Sequence, residues 1–250
     1  MRFKRSPLKV KAYWWEEKAN WGDQLTPLLL EQFLGAQVER SAVSHAKIAC
    51  VGSILEHIPP EWDGYVIGSG KLFGDSRLHL HTNTATILAL RGPLSASGVP
   101  GDYILGDPGL LAPDILGHTP QKKYHLGLVP HWSDTTLVEN PVFQQFDPVV
   151  IDPTDDPVDI IETIGKCHKI VTSSLHGMIV ADSFGIPRRF EETPLQRKDG
   201  NLFKFHDYSQ SIFTPFEVGK TIQANSFHVE CRQHDLRSAF YDLHQMLRSK

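Results

Sequence analysis

KIVTSSLHGMIVADSFGIP, residues 169–187, is the stretch that decides the fold of this chain. Its apolar start up to Thr172 predicts a buried strand, and residues 175–184 predict a helix that ends at Gly185. The two serines in between form the turn, which places His176 in the first turn of the helix. An α/β protein puts anion-binding and acid–base groups at this position, so the stretch predicts a functional site as well as a βα unit.

The same pattern of a short apolar run followed by a turn of small residues recurs along the whole chain. Such repetition predicts parallel strands joined by βα crossovers. The predicted strands are residues 8–15, 46–51, 64–67, 86–90, 103–105, 124–129, 149–151, 169–172 and 188–190. The predicted helices are residues 24–33, 157–167, 175–184 and 235–247, and the polar residues 192–200 are predicted to form a loop.

The chain is long enough for two small α/β domains, since it has 250 residues. Residues 112–123 carry two prolines and few large apolar side chains, which predicts a linker. We therefore expect an N-terminal lobe over 1–118, a C-terminal lobe over 119–233, and a C-terminal helix over 234–250 that packs back on the first lobe. The predicted fold class is α/β, with two Rossmann-like lobes that each contain a parallel sheet. Ligands of such proteins bind in the cleft at the carboxyl ends of the strands.

Composition and charge exclude several classes of protein. Apolar residues make up 40% and charged residues 22% of the chain, which is typical of a globular protein. The net charge of −4 argues against a nucleic-acid partner. The three cysteines are far apart and form no CxxC pair, which fits a reducing cytosol. No signal-peptide core and no apolar run of about 18 residues is present, so we expect a cytoplasmic protein without a membrane span.

His176 is the first candidate for acid–base chemistry. A histidine at the start of a helix lies near the positive end of the helix dipole, which favours the neutral imidazole. A neutral imidazole can take a proton and later return it, whereas the alternative is a histidine that only packs or hydrogen-bonds at the turn. Ser173 and Ser174 either cap the helix or bind an anion at its start. Gly177 allows a close backbone approach or close helix packing.

A second candidate cluster, Asn20, Gly22 and Asp23, follows the first predicted strand. Asp23 is either the cap of the next helix or a carboxylate directed into the cleft between the lobes. Gly22 suits a ligand or a chain segment that presses against the turn. This cluster is therefore a candidate for the opposite wall of the same cleft.

Arg91 and His131 each follow directly on a predicted strand, so both are expected to reach the cleft. The guanidinium of Arg91 could fork onto a carboxylate or a phosphate, and the alternative is a surface ion pair. The histidines of the chain show no HExxH or other metal-ligand spacing, and the sequence contains neither a P-loop nor a GxSxG motif. The sequence therefore predicts no metal site, and it favours neither a P-loop NTPase nor an α/β-hydrolase.

Taken in order, these short motifs resemble those of the polysaccharide pyruvyl transferase family. The resemblance runs from about residue 13 to residue 190, and the residues after it carry no matching motif. The matching blocks are NWGDQL at 20–25, VGSIL at 51–55, GSG at 68–70, RGPL at 91–94, LGDP at 105–108, PH at 130–131, TSSLHG at 172–177, AD at 181–182 and GIP at 185–187.

The resemblance implies a two-lobed fold like that of GT-B glycosyltransferases. It also implies a transferase of exopolysaccharide biosynthesis that moves pyruvate from phosphoenolpyruvate onto two hydroxyls of a sugar as a ketal, with release of phosphate. His176 is then the acid–base group, and Arg91 grips the donor. The chemistry of such a transfer leaves Asp23 to orient or deprotonate an acceptor hydroxyl. Phosphoenolpyruvate is the donor substrate, and no cofactor is implied. The predicted substrate-binding residues are Asn20, Gly22, Ser53, Ser69, Arg91, His131, Ser173, Ser174, Leu175 and Gly177.

The residues alone are also compatible with two other functions. One is a GT-B-type glycosyltransferase that uses a nucleotide sugar, and the other is a carbohydrate-binding protein without catalytic activity. The acceptor sugar is also open, and a lipid-linked oligosaccharide would bring the protein to the inner face of the membrane. The basic residues near the start would then lie at that surface, or they form a solvated end of the chain; they are Arg2, Lys4, Arg5, Lys9 and Lys11.

Overall fold

The protein contains two α/β units, and each is built around one sheet. The computed structural model describes residues 8–18, 20–74, 84–134, 136–199 and 201–249. The strands are β1 (Leu8–Tyr13), β2 (Ala36–Arg40), β3 (Ile48–Ala49), β4 (Tyr65–Ile67), β5 (Thr86–Leu90), β6 (Ile104–Leu105), β7 (Gly127–Val129), β8 (Val149–Val150), β9 (Ile170–Thr172), β10 (Arg188–Phe190) and β11 (Thr221–Ile222). The α-helices are α1 (Leu25–Leu34), α2 (Pro93–Ala96), α3 (Ala112–Leu116), α4 (Pro141–Gln144), α5 (Pro157–Gly165), α6 (Leu175–Ser183), α7 (Pro194–Asp199), α8 (Phe203–Ser211) and α9 (Ser226–Arg248).

The two sheets share one strand order. The first sheet is β2-β1-β3-β4-β5-β6 and the second is β11-β10-β9-β7-β8. Counted from the first strand of its own unit, each sheet begins 2-1-3-4-5, the doubly wound order whose ligand site lies between strands 1 and 3. That switch point falls between β1 and β3 in the first sheet, and between β7 and β9 in the second. The predicted α/β class with two Rossmann-like sheets is confirmed.

The second sheet differs from the prediction in one strand. All pairs of the first sheet are parallel, as are the pairs among β7, β8, β9 and β10. β11 pairs antiparallel with β10, so the second sheet is mixed. An antiparallel edge strand on an otherwise parallel sheet is common, and two residues of β11 are too short to give a sequence pattern.

Several segments fold differently from the sequence prediction. The strand β2 follows α1 after the single residue Gly35, and the sequence does not predict it, because it is a largely exposed edge strand with charged side chains. The predicted linker 112–123 begins with the helix α3, and the predicted polar loop 192–200 contains α7. α9 begins nine residues before the predicted helix, at Ser226, where the side chain of Asn225 caps it.

α6 is the central helix of the second unit. Every residue from Leu175 to Asp182 is buried, which is expected of a helix that packs on all sides. α9 returns to the first unit, where Phe240 stacks on Phe33 of α1 with ring centroids 4.8 Å apart. The predicted domain boundaries at 118 and 233 remain predictions.

Within the described residues, no helix combines the length and the apolar character that a bilayer crossing requires. Lys9 and Lys11 lie exposed on β1. Arg2, Lys4 and Arg5, the other basic residues near the start, lie outside the described residues.

Candidate active site

The two switch points face one another across a pocket of about 380 Å³. Loops that follow β1 and β3 form one wall, and the loops that follow β7 and β9 form the other. α8 adds a single lysine. The lining residues are Trp15, Asn20, Asp23, Ser53, Ile54, His57, Leu72, His131, Trp132, Ser174, Leu175, His176, Leu195 and Lys204.

His176 lies buried in the first turn of α6, as the sequence predicted, and lines the pocket. Its Nε2 atom is buried without a hydrogen-bond partner among the described residues. Burial, followed by the positive charges of Lys204 and Arg91, lowers the pKa of the imidazole from 6.5 to about 3. The ring is therefore neutral at physiological pH, in the form that accepts a proton.

The close neighbours of the imidazole fix its position. The ring of Trp21 meets it edge-on, with centroids 6.1 Å apart. Gly22 lies directly against the ring, because a Cβ added there would collide with Nδ1 of His176. The sequence predicted that something presses against Gly22, and the structure identifies it as the histidine of the opposite wall.

Asp23 is a pocket carboxylate and does not cap α1 through its side chain. Gln24 is the N-cap residue and makes no side-chain cap bond. The carboxylate instead accepts a short hydrogen bond from the Asn20 side chain, and it lies so close to Gly52 that a Cβ there would collide with it. Burial raises the pKa of Asp23 from 3.8 to about 7, although the charge of Lys204 and the Asn20 hydrogen bond act in the opposite direction.

Lys204 is the site residue that the sequence analysis missed. It lies on α8, outside the segment that carries the family resemblance, and it lines the pocket beside His131 and Leu195. Burial and the charge of Arg91 lower the pKa of Lys204 from 10.5 to about 8, against the opposing pull of Asp23. No local sequence signal marked Lys204, because its pocket neighbour His131 lies far from it in sequence.

Arg91 is fully buried and lies behind the pocket wall. Its Nε donates to Asp207 at 2.9 Å, its Nη1 donates to the Ser53 hydroxyl at 2.6 Å, and its Nη2 donates to the carbonyl of Lys71 at 2.5 Å. This buried ion pair with Asp207 is neither the predicted bidentate contact with a donor anion nor the alternative surface ion pair. Each of the three guanidinium nitrogens donates one hydrogen bond inside the protein, and of the three acceptors only Ser53 lines the pocket.

The remaining predicted residues divide into a lining group and a packing group. Ser174, Leu175, His131, Ser53 and Asn20 line the pocket. Ser174 is the N-cap of α6 by position but makes no side-chain cap bond, and its own N–H donates to Thr172 Oγ1 at 2.9 Å. Its hydroxyl is thus not used in capping.

The packing group lies behind the lining residues. Ser173 donates to Asp134 at 2.6 Å and accepts from the N–H of His131 at 2.9 Å. Ser69 donates to the Gly52 carbonyl at 2.8 Å. Gly177 allows α6 to pack closely on β9, since a Cβ there would collide with Thr172. These three residues shape the walls and do not line the pocket.

The mouth of the pocket is aromatic. Trp15 follows β1 and Trp132 follows β7, and their tilted rings contact each other with centroids 5.9 Å apart. His131 lies 5.2 Å from the ring of Trp132. Burial and the charge of Lys204 lower the pKa of His131 from 6.5 to about 4, so this imidazole is also neutral at physiological pH. Among the described residues, no three His, Cys, Asp or Glu side chains cluster as metal ligands.

Comparisons with known proteins agree with the resemblance of the motifs. Residues 71–190 match the family model described as "Polysaccharide pyruvyl transferase". The "Succinoglycan biosynthesis protein ExoV" of Rhizobium meliloti (strain 1021) is 30% identical over 212 residues, which is 81% of this chain and 65% of that protein. The "Uncharacterized protein L143" of Acanthamoeba polyphaga mimivirus is 38% identical over 112 residues, 42% of this chain and 38% of that protein. The chain thus matches less than two thirds of the length of either relative.

Proposed function

We propose, from the match of residues 71–190 to the polysaccharide pyruvyl transferase family model, that the protein transfers pyruvate from phosphoenolpyruvate to a sugar of a polysaccharide or its precursor. Two hydroxyls of the sugar would end up joined to one carbon as a ketal. One observation carries the proposal. The histidine of the family-like segment stands in a two-walled pocket, with its Nε2 unpartnered among the described residues.

The donor requires a site for a small, highly charged anion. Lys204 supplies a positive charge at the pocket wall. The first turn of α6 supplies N–H groups that lack helical acceptors, together with the positive end of the helix dipole. We assign the phosphate and carboxylate of phosphoenolpyruvate to these two features, and we assign Arg91 the role of supporting the wall through Ser53.

The pKa values divide the proton-transfer roles between two residues. Asp23, with a pKa of about 7, holds a proton in much of the free protein and can give it to C3 of phosphoenolpyruvate. C2 then gains cationic character and is attacked by the first sugar hydroxyl. Neutral His176 takes the proton of that hydroxyl. The protonated imidazole is the less favoured form in this site, so the structure favours His176 as base over His176 as the initial acid.

The second half of the reaction replaces phosphate with the second hydroxyl. The C2–O bond to phosphate breaks, and the bonding electrons leave with the phosphate. The second hydroxyl attacks C2, and its proton is carried away by the ionised Asp23. The proton of the second hydroxyl replaces the proton that Asp23 gave to C3. The proton of the first hydroxyl passes from His176 to the released phosphate. The residues are thus returned to their starting protonation states.

Phosphate release from phosphoenolpyruvate tests this proposal. We expect release only when a suitable acceptor from a panel of glycans is present. We expect His176→Gln, which keeps the volume of the side chain, to lower the rate by about 100-fold or more, as for loss of an acid–base group. His125→Ala removes an exposed histidine far from the pocket and should leave the rate unchanged. A folded His176→Gln protein with near-normal turnover would refute the role of the imidazole.

Thermal stabilisation separates the pyruvyl donor from a nucleotide sugar. A ligand present at 100 times its Kd adds about 2.7 kcal/mol to the free energy of unfolding. We expect phosphoenolpyruvate to raise the melting temperature and nucleotide sugars to leave it unchanged. Stabilisation by a nucleotide sugar alone would instead assign the pocket to glycosyl transfer, and binding of glycans without turnover of any donor would indicate a carbohydrate-binding protein.

A further inference from the structure

The pocket changes character from its floor to its mouth. His176, Asp23 and Ser174 on the floor are each only 6% exposed. At the mouth, Trp132 is 39% exposed and Trp15 is partly exposed. A small, highly charged anion is served by the polar floor, and its chemistry gives no reason for two indole rings, one exposed and one partly exposed, above it.

Both tryptophans present unused binding groups. Exposed large aromatic rings are costly in water and are enriched where a partner covers them. Within the described residues, the indole N–H of neither Trp15 nor Trp132 has a hydrogen-bond partner. Each ring therefore offers an apolar face and a free donor, which match the C–H face and the hydroxyls of a pyranose ring.

We infer that Trp15 and Trp132 form the acceptor subsite, where a pyranose ring of the acceptor stacks and from which two of its hydroxyls reach the floor. This inference deepens the proposed function and rests on it. The two rings come from opposite walls, since Trp15 follows β1 and Trp132 follows β7. The ring centroids are 5.9 Å apart, which is too close for a pyranose ring to fit between them, so the sugar stacks on the exposed face of Trp132 beside Trp15. This stacking sets its orientation toward His176.

Binding can be measured without any turnover. Saturation-transfer NMR on the full chain would use methyl β-D-galactopyranoside and methyl β-D-glucopyranoside as probes, with mannitol as an open-chain polyol without a ring face. We expect the strongest transfer at the ring C–H protons of at least one glycoside, and no transfer to mannitol. Calorimetric titration of the same glycosides supplies the association constants.

Three variants test the role of the Trp132 ring in binding the sugar. Trp132→Ala should lower the glycoside association constant by about tenfold, and Trp132→Phe by about two- to threefold, because a smaller aromatic face remains. Tyr241→Ala removes an aromatic side chain that is exposed outside the pocket and should change nothing. In turnover assays, Trp132→Ala should raise the acceptor KM with little change in kcat, whereas stabilisation by phosphoenolpyruvate should stay at the wild-type level.

The outcomes distinguish this inference from the proposed function. Glycoside binding that depends on Trp132, without turnover of phosphoenolpyruvate, would uphold the subsite and refute the transferase. Normal turnover with an unchanged acceptor KM in Trp132→Ala would uphold the transferase and refute the subsite. The subsite is also refuted if neither glycoside binds the wild-type protein, or if mannitol binds as the glycosides do.

Discussion

Two buried sets of polar groups lie side by side in this protein, and they are built on opposite principles. The Arg91–Asp207 cluster, which consists of Arg91, Asp207, Ser95 and Ser53, satisfies its charges internally. Both Asp207 oxygens accept hydrogen bonds, from Arg91 and from the backbone and hydroxyl of Ser95. In the pocket, by contrast, Nε2 of His176 has no hydrogen-bond partner among the described residues, and the attractive interactions of Lys204 are with the ring of Phe205 and with the more distant charge of Asp23.

The contrast between paired and unpaired groups is clearest on α8. Lys204 and Asp207 are one turn apart on that helix, yet Asp207 is fully buried against the first unit and Lys204 lines the pocket. A buried or partly buried polar group without a close partner costs free energy that a paired group does not. We therefore interpret the paired cluster as the element that holds the walls together, and the unpaired groups as those kept for a ligand.

Asp207→Ala should have the largest effect. It leaves the Arg91 guanidinium buried without its counter-charge, so we expect a loss of about 3–5 kcal/mol in the free energy of unfolding, measured with denaturant. Asp114→Ala is the matched control, because it breaks an exposed pair with Arg237 and should cost about 1 kcal/mol or less. Equal losses in the two variants would contradict the structural role of the cluster.

Lys204→Met should have an intermediate effect that falls on binding. The variant keeps an apolar side chain of similar length but removes the pocket's cation, so we expect the affinity for phosphoenolpyruvate to fall by about 10- to 100-fold, measured from thermal stabilisation. Lys220→Met removes a lysine that pairs on the surface with Glu217 and should leave the affinity unchanged. Wild-type affinity in Lys204→Met would remove this lysine from the donor site.

The effect of Asp23→Asn on stability should be the smallest of the three, and it appears in the pH dependence of the free energy of unfolding. The pKa of Asp23 is raised from 3.8 to about 7 in the folded protein, so its contribution to stability is fully present below about pH 4 and is lost as the pH rises through about 7. The asparagine variant cannot ionise. Its stability relative to wild type should therefore increase by about 1–2 kcal/mol between pH 6 and pH 8.

A control variant separates this effect from a general response to pH. Hydrogen bonds from Thr154 lower the pKa of the exposed Asp152, so that its contribution is already present above about pH 4. Asp152→Asn should show a constant difference from wild type between pH 5 and pH 8. A constant difference for Asp23→Asn as well would mean that Asp23 is ionised throughout and cannot be the proton donor.

Local sequence patterns were sufficient to predict a structural element where the segment has a clear apolar run and clear turn residues. The run before Thr172, the two serines and Gly185 predicted β9, α6 and the place of His176, and the order of the short motifs predicted the family. The same rules failed for β2 and α7, because charged edge strands and short polar helices lack a distinct apolar period. They also failed for Lys204, whose pocket neighbours lie far from it in sequence.

The sequence by itself determined the α/β class, the helix start that carries His176, and the presence of Asp23 near the first strand end. These features depend on neighbouring residues, so a linear pattern contains them. Only the tertiary structure decided that Arg91 pairs with Asp207, that Lys204 takes the pocket position expected of the arginine, and that two tryptophans meet at the mouth. Each of these depends on the burial and charge of residues brought together from distant segments, which alter the pKa and the partners of a side chain without leaving a local signal.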